Sequence, residues 1–150
     1  MQNVNKHSLA IISTRQLAGN DFYHIFISNK ISDQCFISNK TKEGCQVFPL
    51  YLYSKSSGQQ TIEQSLERTP NLNPEIVKQI AEKLGLNFIP EKDTSTGSAS
   101  GGNFAPIDLL DYIYAVLHSP SYREKYKEFL KIDFPRVPYP GDQETFFCFI

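Results

Sequence analysis

Residues 8–60 alternate β-branched and aromatic runs with polar turns, residues 61–150 place apolar side chains at helical spacing, and Pro, Gly and Asn punctuate the boundaries. These three observations predict an α+β fold. An N-terminal antiparallel β-sheet of about four strands is followed by a helical half packed on it.

The expected strands are Leu9-Ala10-Ile11-Ile12, residues 22–27, Cys35-Phe36-Ile37 and residues 47–53. Polar clusters at 16–21, 28–34 and 38–44 separate them, with turn chemistry at Gly19-Asn20 and Glu43-Gly44. Pro49 interrupts the last run and marks an edge strand or a bulge, because proline cannot donate to a ladder. Phe26-Ile27-Ser28-Asn29-Lys30 recurs as Phe36-Ile37-Ser38-Asn39-Lys40, which reads as two strands leaving the sheet through similar polar exits. In a meander of consecutive strands those exits lie at opposite ends. Arg15, Asn20, Asn39, Lys40 and Lys42 then gather at one end, and Lys6, Lys30 and Lys55 at the other.

Asn73 is placed to cap a helix with Pro74 and Glu75 in its first turn, and Gly85 stops it. Its expected apolar face is Ile76, Val77, Ile80, Ala81 and Leu84. Residues 91–103 are dominated by Ser, Thr and Gly and are expected to form a flexible surface loop. A helix from Pro106 should turn Ile107, Leu110, Ile113, Tyr114 and Leu117 inward. His118-Ser119-Pro120 breaks it and opens a further helix burying Tyr122, Tyr126, Phe129 and Leu130, with Arg123, Lys127 and Lys131 outside. Residues 133–140 contain three prolines and should run extended. Asp142 and Glu144 open a last helix, and the chain closes on the apolar run Phe146-Phe147-Cys148-Phe149-Ile150. So exposed a run suggests a piece of a longer polypeptide, or a tail that packs on a partner.

The 150 residues are 40% apolar and 21% charged, which excludes disordered, collagen-like and disulfide-scaffold classes and suits one domain over 1–150. There is no run of about 18 apolar residues to span a membrane. The polar stretch 1–7 is not expected to act as a signal peptide, and Cys35, Cys45 and Cys148 lack paired spacing. A reduced, cytoplasmic setting is therefore expected, with the cysteines as small core residues. The net charge of −1 is uneven: residues 1–60 hold six basic and three acidic side chains, residues 61–150 nine and thirteen. The first part suits a polyanion better than the second.

Catalytic patterns are missing from the sequence. It holds no Gly-rich phosphate loop, no nucleophile elbow and no His or Cys pair at metal-ligand spacing, so no catalytic or metal residue is assigned. Asp108 and Asp111, three apart on one helix, read as a solvated face. The remaining candidate is a recognition surface. Ser28-Asn29-Lys30, residues 38–42 and residues 55–60 combine Lys with Asn, Ser, Thr and Gln, which bond phosphates and base edges. Ordinary turn solvation accounts for the same composition. Tyr51, Tyr53, Tyr112, Tyr114, Tyr122 and Tyr126 are able to stack on bases, but their helical spacing favours packing for most.

Several blocks in a fixed order carry a resemblance. They are residues 48–53 (FPLYLY), 68–73 (RTPNLN) running into 83–88 (KLGLNF), Phe104-Ala105-Pro106-Ile107, residues 112–120 (YIYAVLHSP) with Tyr122-Arg123, and Phe134-Pro135-Arg136-Val137-Pro138. Together, over roughly residues 8–150, they resemble the C-terminal specificity domain of type ISP single-polypeptide restriction–modification enzymes. The resemblance implies a DNA target recognition domain without catalysis of its own. Its parent would carry nuclease, helicase-like ATPase and adenine methyltransferase domains, with S-adenosylmethionine, ATP and Mg bound there and not here. The implied partners are double-stranded DNA, read in the major groove so that an adenine is flipped into a neighbouring active site, and the methyltransferase domain of the same polypeptide. The helical and aromatic blocks are expected to be scaffold. Base readers are expected on loops of the β-rich part, and Arg15, Lys30, Asn39, Lys40, Lys42 and Lys55 are the candidate DNA-binding residues. A protein-interaction module, docking through the apolar C-terminal segment and the tyrosine helices, is the alternative.

Overall fold

The computed structural model describes residues 9–18, 21–38, 43–53, 68–90 and 102–150. Among them run β1 (Ala10–Thr14), β2 (Phe26–Ser28), β3 (Cys45–Pro49), β4 (Tyr51–Tyr53), β5 (Arg68–Pro70), α1 (Pro74–Leu84), β6 (Asn87–Phe88), β7 (Asn103–Phe104), α2 (Pro106–His118), α3 (Pro120–Lys125), α4 (Lys127–Ile132) and α5 (Gln143–Cys148). The class is α+β, as expected.

Strand pairing departs from a meander. β1 is central, with β2 and β3 antiparallel on either side, so Ala10 faces Ser28 and Pro49 while Thr14 faces Cys45. The expected strand at Cys35-Phe36-Ile37 does not form. Asp33 captures that backbone instead: its carboxylate accepts the Cys35 N–H at 2.8 Å and its carbonyl the Phe36 N–H at 3.0 Å, a turn that competes with any ladder. Pro49 closes β3 on an edge of the sheet, where its missing donor costs nothing. The chain then turns at Leu50 and starts β4, which pairs antiparallel with β5. The run 47–53 is thus two strands in two sheets. Asn103, placed in the loop by composition, instead starts β7, parallel to β6; residues 91–101 of that loop lie outside the described residues.

The helix signals are local and hold well. Asn73 Oδ1 accepts the Glu75 and Ile76 N–H groups, and Gly85 closes α1 in the left-handed region at φ 62°. Val77, Ile80 and Leu84 are buried, whereas Ile76 lies at the exposed margin. In α2 the inward face is rotated from the one expected: Leu109, Leu110, Tyr112, Val116 and Leu117 are buried, and Ile107, Ile113 and Tyr114 are half-buried. Asp108 is also buried, not solvated. Its carboxylate reaches back from the third helical position to accept the N–H of the N-cap residue Ala105 at 2.8 Å. Ser119 caps α3 as expected, but Tyr126 (φ −107°) separates α3 from α4. That break swings Phe129 outward to 68% exposure, contrary to the helical stripe, while Tyr122 and Leu130 stay buried.

The main core draws Phe22 and Ile25 from the β-rich part together with side chains of α1, α2, α3, α4 and α5. A smaller cluster of Leu50, Tyr51 and Leu110, flanked by Ile11, Ile27 and Ile107, seats the sheet on α2. The C-terminal aromatics are not one exposed run. Phe146 is fully buried against Phe104 and Tyr112, and only Phe149 and Cys148 stay exposed. Cys35 is also exposed and Cys45 half-buried, so the cysteines do not fill the core. No helix among the described residues is long and apolar enough to cross a membrane.

Candidate nucleic-acid interface

The two ends of β1 present different chemistry. At the Thr14 end the chain turns sharply: Thr14 Oγ1 donates to the Gln16 carbonyl, and the Leu17 N–H donates to the Lys131 carbonyl at 3.1 Å. This docks the strand exit on the end of α4. Arg15 Nε donates to Asp133 Oδ1 at 3.2 Å, with both side chains well exposed. Asp133 is held below the usual carboxylate range, first by the Phe134 N–H and then by Arg15. Lys131 pairs with Glu128 at 2.8 Å, and the buried Glu43 accepts the Ala18 N–H. Arg15 and Lys131 at this end therefore each have an acidic partner.

At the Ala10 end, β2 leaves the sheet at Ser28, whose Oγ accepts the Lys30 N–H at 3.0 Å. Lys30 is exposed. Ile31 beyond it is 74% exposed. The segment then folds back along the sheet through the Asp33 turn to the Thr14 end, where the Gln34 carbonyl accepts the Cys45 N–H at 2.9 Å, tying it to β3. Phe36 is 54% exposed and meets Phe26 edge to face, ring centroids 5.6 Å apart. The first residues of the two sequence copies are thus brought into contact. Burial raises the Cys45 thiol pKa, and Asp33 adds to that shift.

Of the six candidate contacts, Arg15 and Lys30 are described, and they leave opposite ends of the sheet, roughly 17 Å of strand apart. Asn39, Lys40, Lys42 and Lys55 lie outside the described residues, as do Lys6 and Asn20. The tyrosines are mostly scaffold. The Tyr112 hydroxyl donates to the Pro138 carbonyl at 3.1 Å and the Tyr122 hydroxyl to the Arg136 carbonyl at 2.9 Å, pinning the extended proline segment. Burial pushes both phenols up, and Tyr126 adds to the shift at Tyr122.

Three features escaped the sequence reading. Ile31, a lone apolar residue between Lys30 and Ser32, was hidden in a turn cluster. Arg123 folds its guanidinium over the Tyr23 ring at 5.6 Å and donates from Nε to the Leu117 carbonyl at 2.7 Å, closing the end of α2. An open apolar groove of about 590 Å³ runs between α3–α4 and the proline segment, lined by Tyr126, Phe129, Ile132 and Phe134 among others. Helical periodicity does not reveal it, because the break at Tyr126 creates it. Among the described residues no three His, Cys, Asp or Glu side chains form a metal-binding group.

The family model of the type ISP C-terminal specificity domain matches residues 1–149. None of the curated proteins matches the chain. Among solved structures, the cryo-electron microscopy structure of the DrdV–DNA complex superimposes with a TM-score of 0.60 at 22% identity, covering 89% of this chain and 10% of that one. The likeness is one of fold, and the chain spans about a tenth of the length of that protein.

Proposed function

Because the chain belongs to the type ISP C-terminal specificity domain family, we propose that it is the part of a fused restriction–modification polypeptide that selects the DNA sequence. The family match over 1–149 is the observation that carries this reading. The domain is a recognition module. The chemistry, adenine methylation and DNA cleavage, belongs to the rest of the parent, which would also bind S-adenosylmethionine, ATP and Mg. The methyltransferase domain of the same polypeptide is the second partner, and the setting is cytoplasmic.

The sheet supplies a rigid base from which polar exits reach a duplex. Lys30 is the described candidate best placed to touch phosphate, being exposed at the Ala10 end. Arg15 is a weaker one while Asp133 holds it. Asn39, Lys40, Lys42 and Lys55 complete the proposed set. Net charge near zero gives little nonspecific phosphate affinity, so the domain relies on its tether to the parent to raise the effective concentration of DNA.

Titrating the 150-residue chain with mixed-sequence duplexes at low and moderate salt should show weak, salt-sensitive binding, and selection from a randomised duplex library should enrich one motif. Replacing Lys40 and Lys42 with Glu should abolish that enrichment. Tight, salt-insensitive binding to any duplex, or no enriched sequence, would refute the reading.

A further inference from the structure

We infer that residues 29–38 form an apolar base-reading finger, in which Ile31 and Phe36 pack on thymine methyl groups in the major groove while Lys30 holds the adjoining phosphate. This rests on the DNA-recognition reading above and adds the contacts that read the bases.

The argument starts from misplaced hydrophobicity. Ile31 is the most exposed large apolar side chain among the described residues, and Phe36, five residues on along the same tied segment, is 54% exposed. A mobile loop exposes such side chains only transiently, but this one is held at its start, tip and return. Ser28 Oγ takes the Lys30 N–H, Asp33 takes the Cys35 and Phe36 N–H groups, and the Gln34 carbonyl takes the Cys45 N–H. Phe26 braces Phe36 from the strand, edge to face at 5.6 Å. Apolar surface displayed on a braced loop is a contact surface.

Charge says what it contacts. Residues 28–42 carry Lys30, Lys40 and Lys42 against Asp33 alone. The Asp33 carboxylate is engaged by the Cys35 N–H, and Glu43, next along the chain, is buried on the Ala18 N–H. Lysine therefore outnumbers acid along this stretch of sequence, and Lys30 is itself exposed next to Ile31, which suits a polyanion with an apolar feature inside its groove. In a DNA major groove that feature is the thymine C5-methyl group, the one alkyl substituent among the base-edge groups.

The test uses the 150-residue chain and the duplex enriched from a randomised library, in two forms, one with every thymine replaced by uracil. Ile31→Ala should weaken binding to the thymine duplex roughly fourfold, the loss expected for about one buried methylene, with the salt dependence unchanged. Removing the methyl groups should weaken the parent by a similar factor and the variant hardly at all. Phe36→Ala should behave like Ile31→Ala; because Ile31 is so exposed, its variant keeps the test valid if Phe36→Ala unfolds. Equal binding of the two duplexes by the parent, or of the thymine duplex by parent and Ile31→Ala, overturns the finger and makes this patch a protein contact. Failure of the parent to enrich any duplex overturns the DNA reading itself, and the finger with it.

Discussion

Arg15 Nε and Asp133 Oδ1 lie 3.2 Å apart across 118 residues of sequence, joining the exit of the first strand to the end of the fourth helix. The pair is exposed, so its value is positional more than energetic. It also sets how much positive charge this end of the sheet can offer.

Removing Asp133 should therefore release Arg15 for phosphate. Asp133→Asn is expected to tighten binding of mixed-sequence duplexes at low salt and to steepen its salt dependence, whereas Arg15→Ala weakens it. Fluorescence titration across a salt series reads both slopes. An Asp133→Asn chain binding no tighter than the parent would remove Arg15 from the interface.

Acid should destabilise the fold through three carboxylates. Asp142 is held below its ordinary range, first by the Thr145 N–H that it accepts as the cap of α5; Asp133 by the Phe134 N–H and then Arg15; Glu128 by its hydrogen bond to Lys131. A folded-state pKa lower than the unfolded one means stability that is present above the unfolded value and lost as pH falls through the folded one. Urea midpoints should hold steady down to about pH 5 and then decline below about pH 4. In Asp142→Asn that decline should be shallower, with a lower midpoint at neutral pH.

Phe146→Ala should be among the costliest single changes. The ring is fully buried and touches Phe104, Tyr112 and Phe147, so its loss leaves a cavity where α5 meets α2. Urea unfolding should show a loss of about 3–5 kcal/mol.

The two ends of α1 should respond separately. Asn73→Ala forfeits the acceptor for the Glu75 and Ile76 N–H groups and should cost about 1 kcal/mol. Gly85→Ala forces a side chain into the left-handed region, at about 1 kcal/mol more. The sites sit at opposite ends of the helix, so thermal melts of the double variant should show the two losses adding.

The helix boundaries were legible because capping is local chemistry. Asn73, Gly85, Ser119 and Asp142 each act within a few residues of themselves, and all four appear where the sequence puts them. The faces were less legible. The α2 stripe is rotated because the sheet packs on Leu110 while α1 and α5 pack on Leu109 and Tyr112, so three neighbours share one helix. Phe129 leaves the expected stripe because a break at Tyr126 ends the helical period just before it. The strand expected at 35–37 lost to the Asp33 turn, whose chemistry is visible in the sequence but whose competition with the ladder is not. Among the site residues, charge pointed to Lys30, but the exposure of Ile31 depends on how its loop is tied to β3.

Composition, turn chemistry and the order of the motif blocks determined the α+β class, the helix starts and stops, and the family. Tertiary structure alone decided that β1 sits between β2 and β3, that Phe26 meets Phe36, that Arg15 is held by Asp133, and that Phe146 turns inward. Capping and periodicity act over one or two turns and are written in neighbouring residues. Strand order, ion pairing and burial depend on which distant surfaces close on one another, and those choices are made by the free energy of the whole chain.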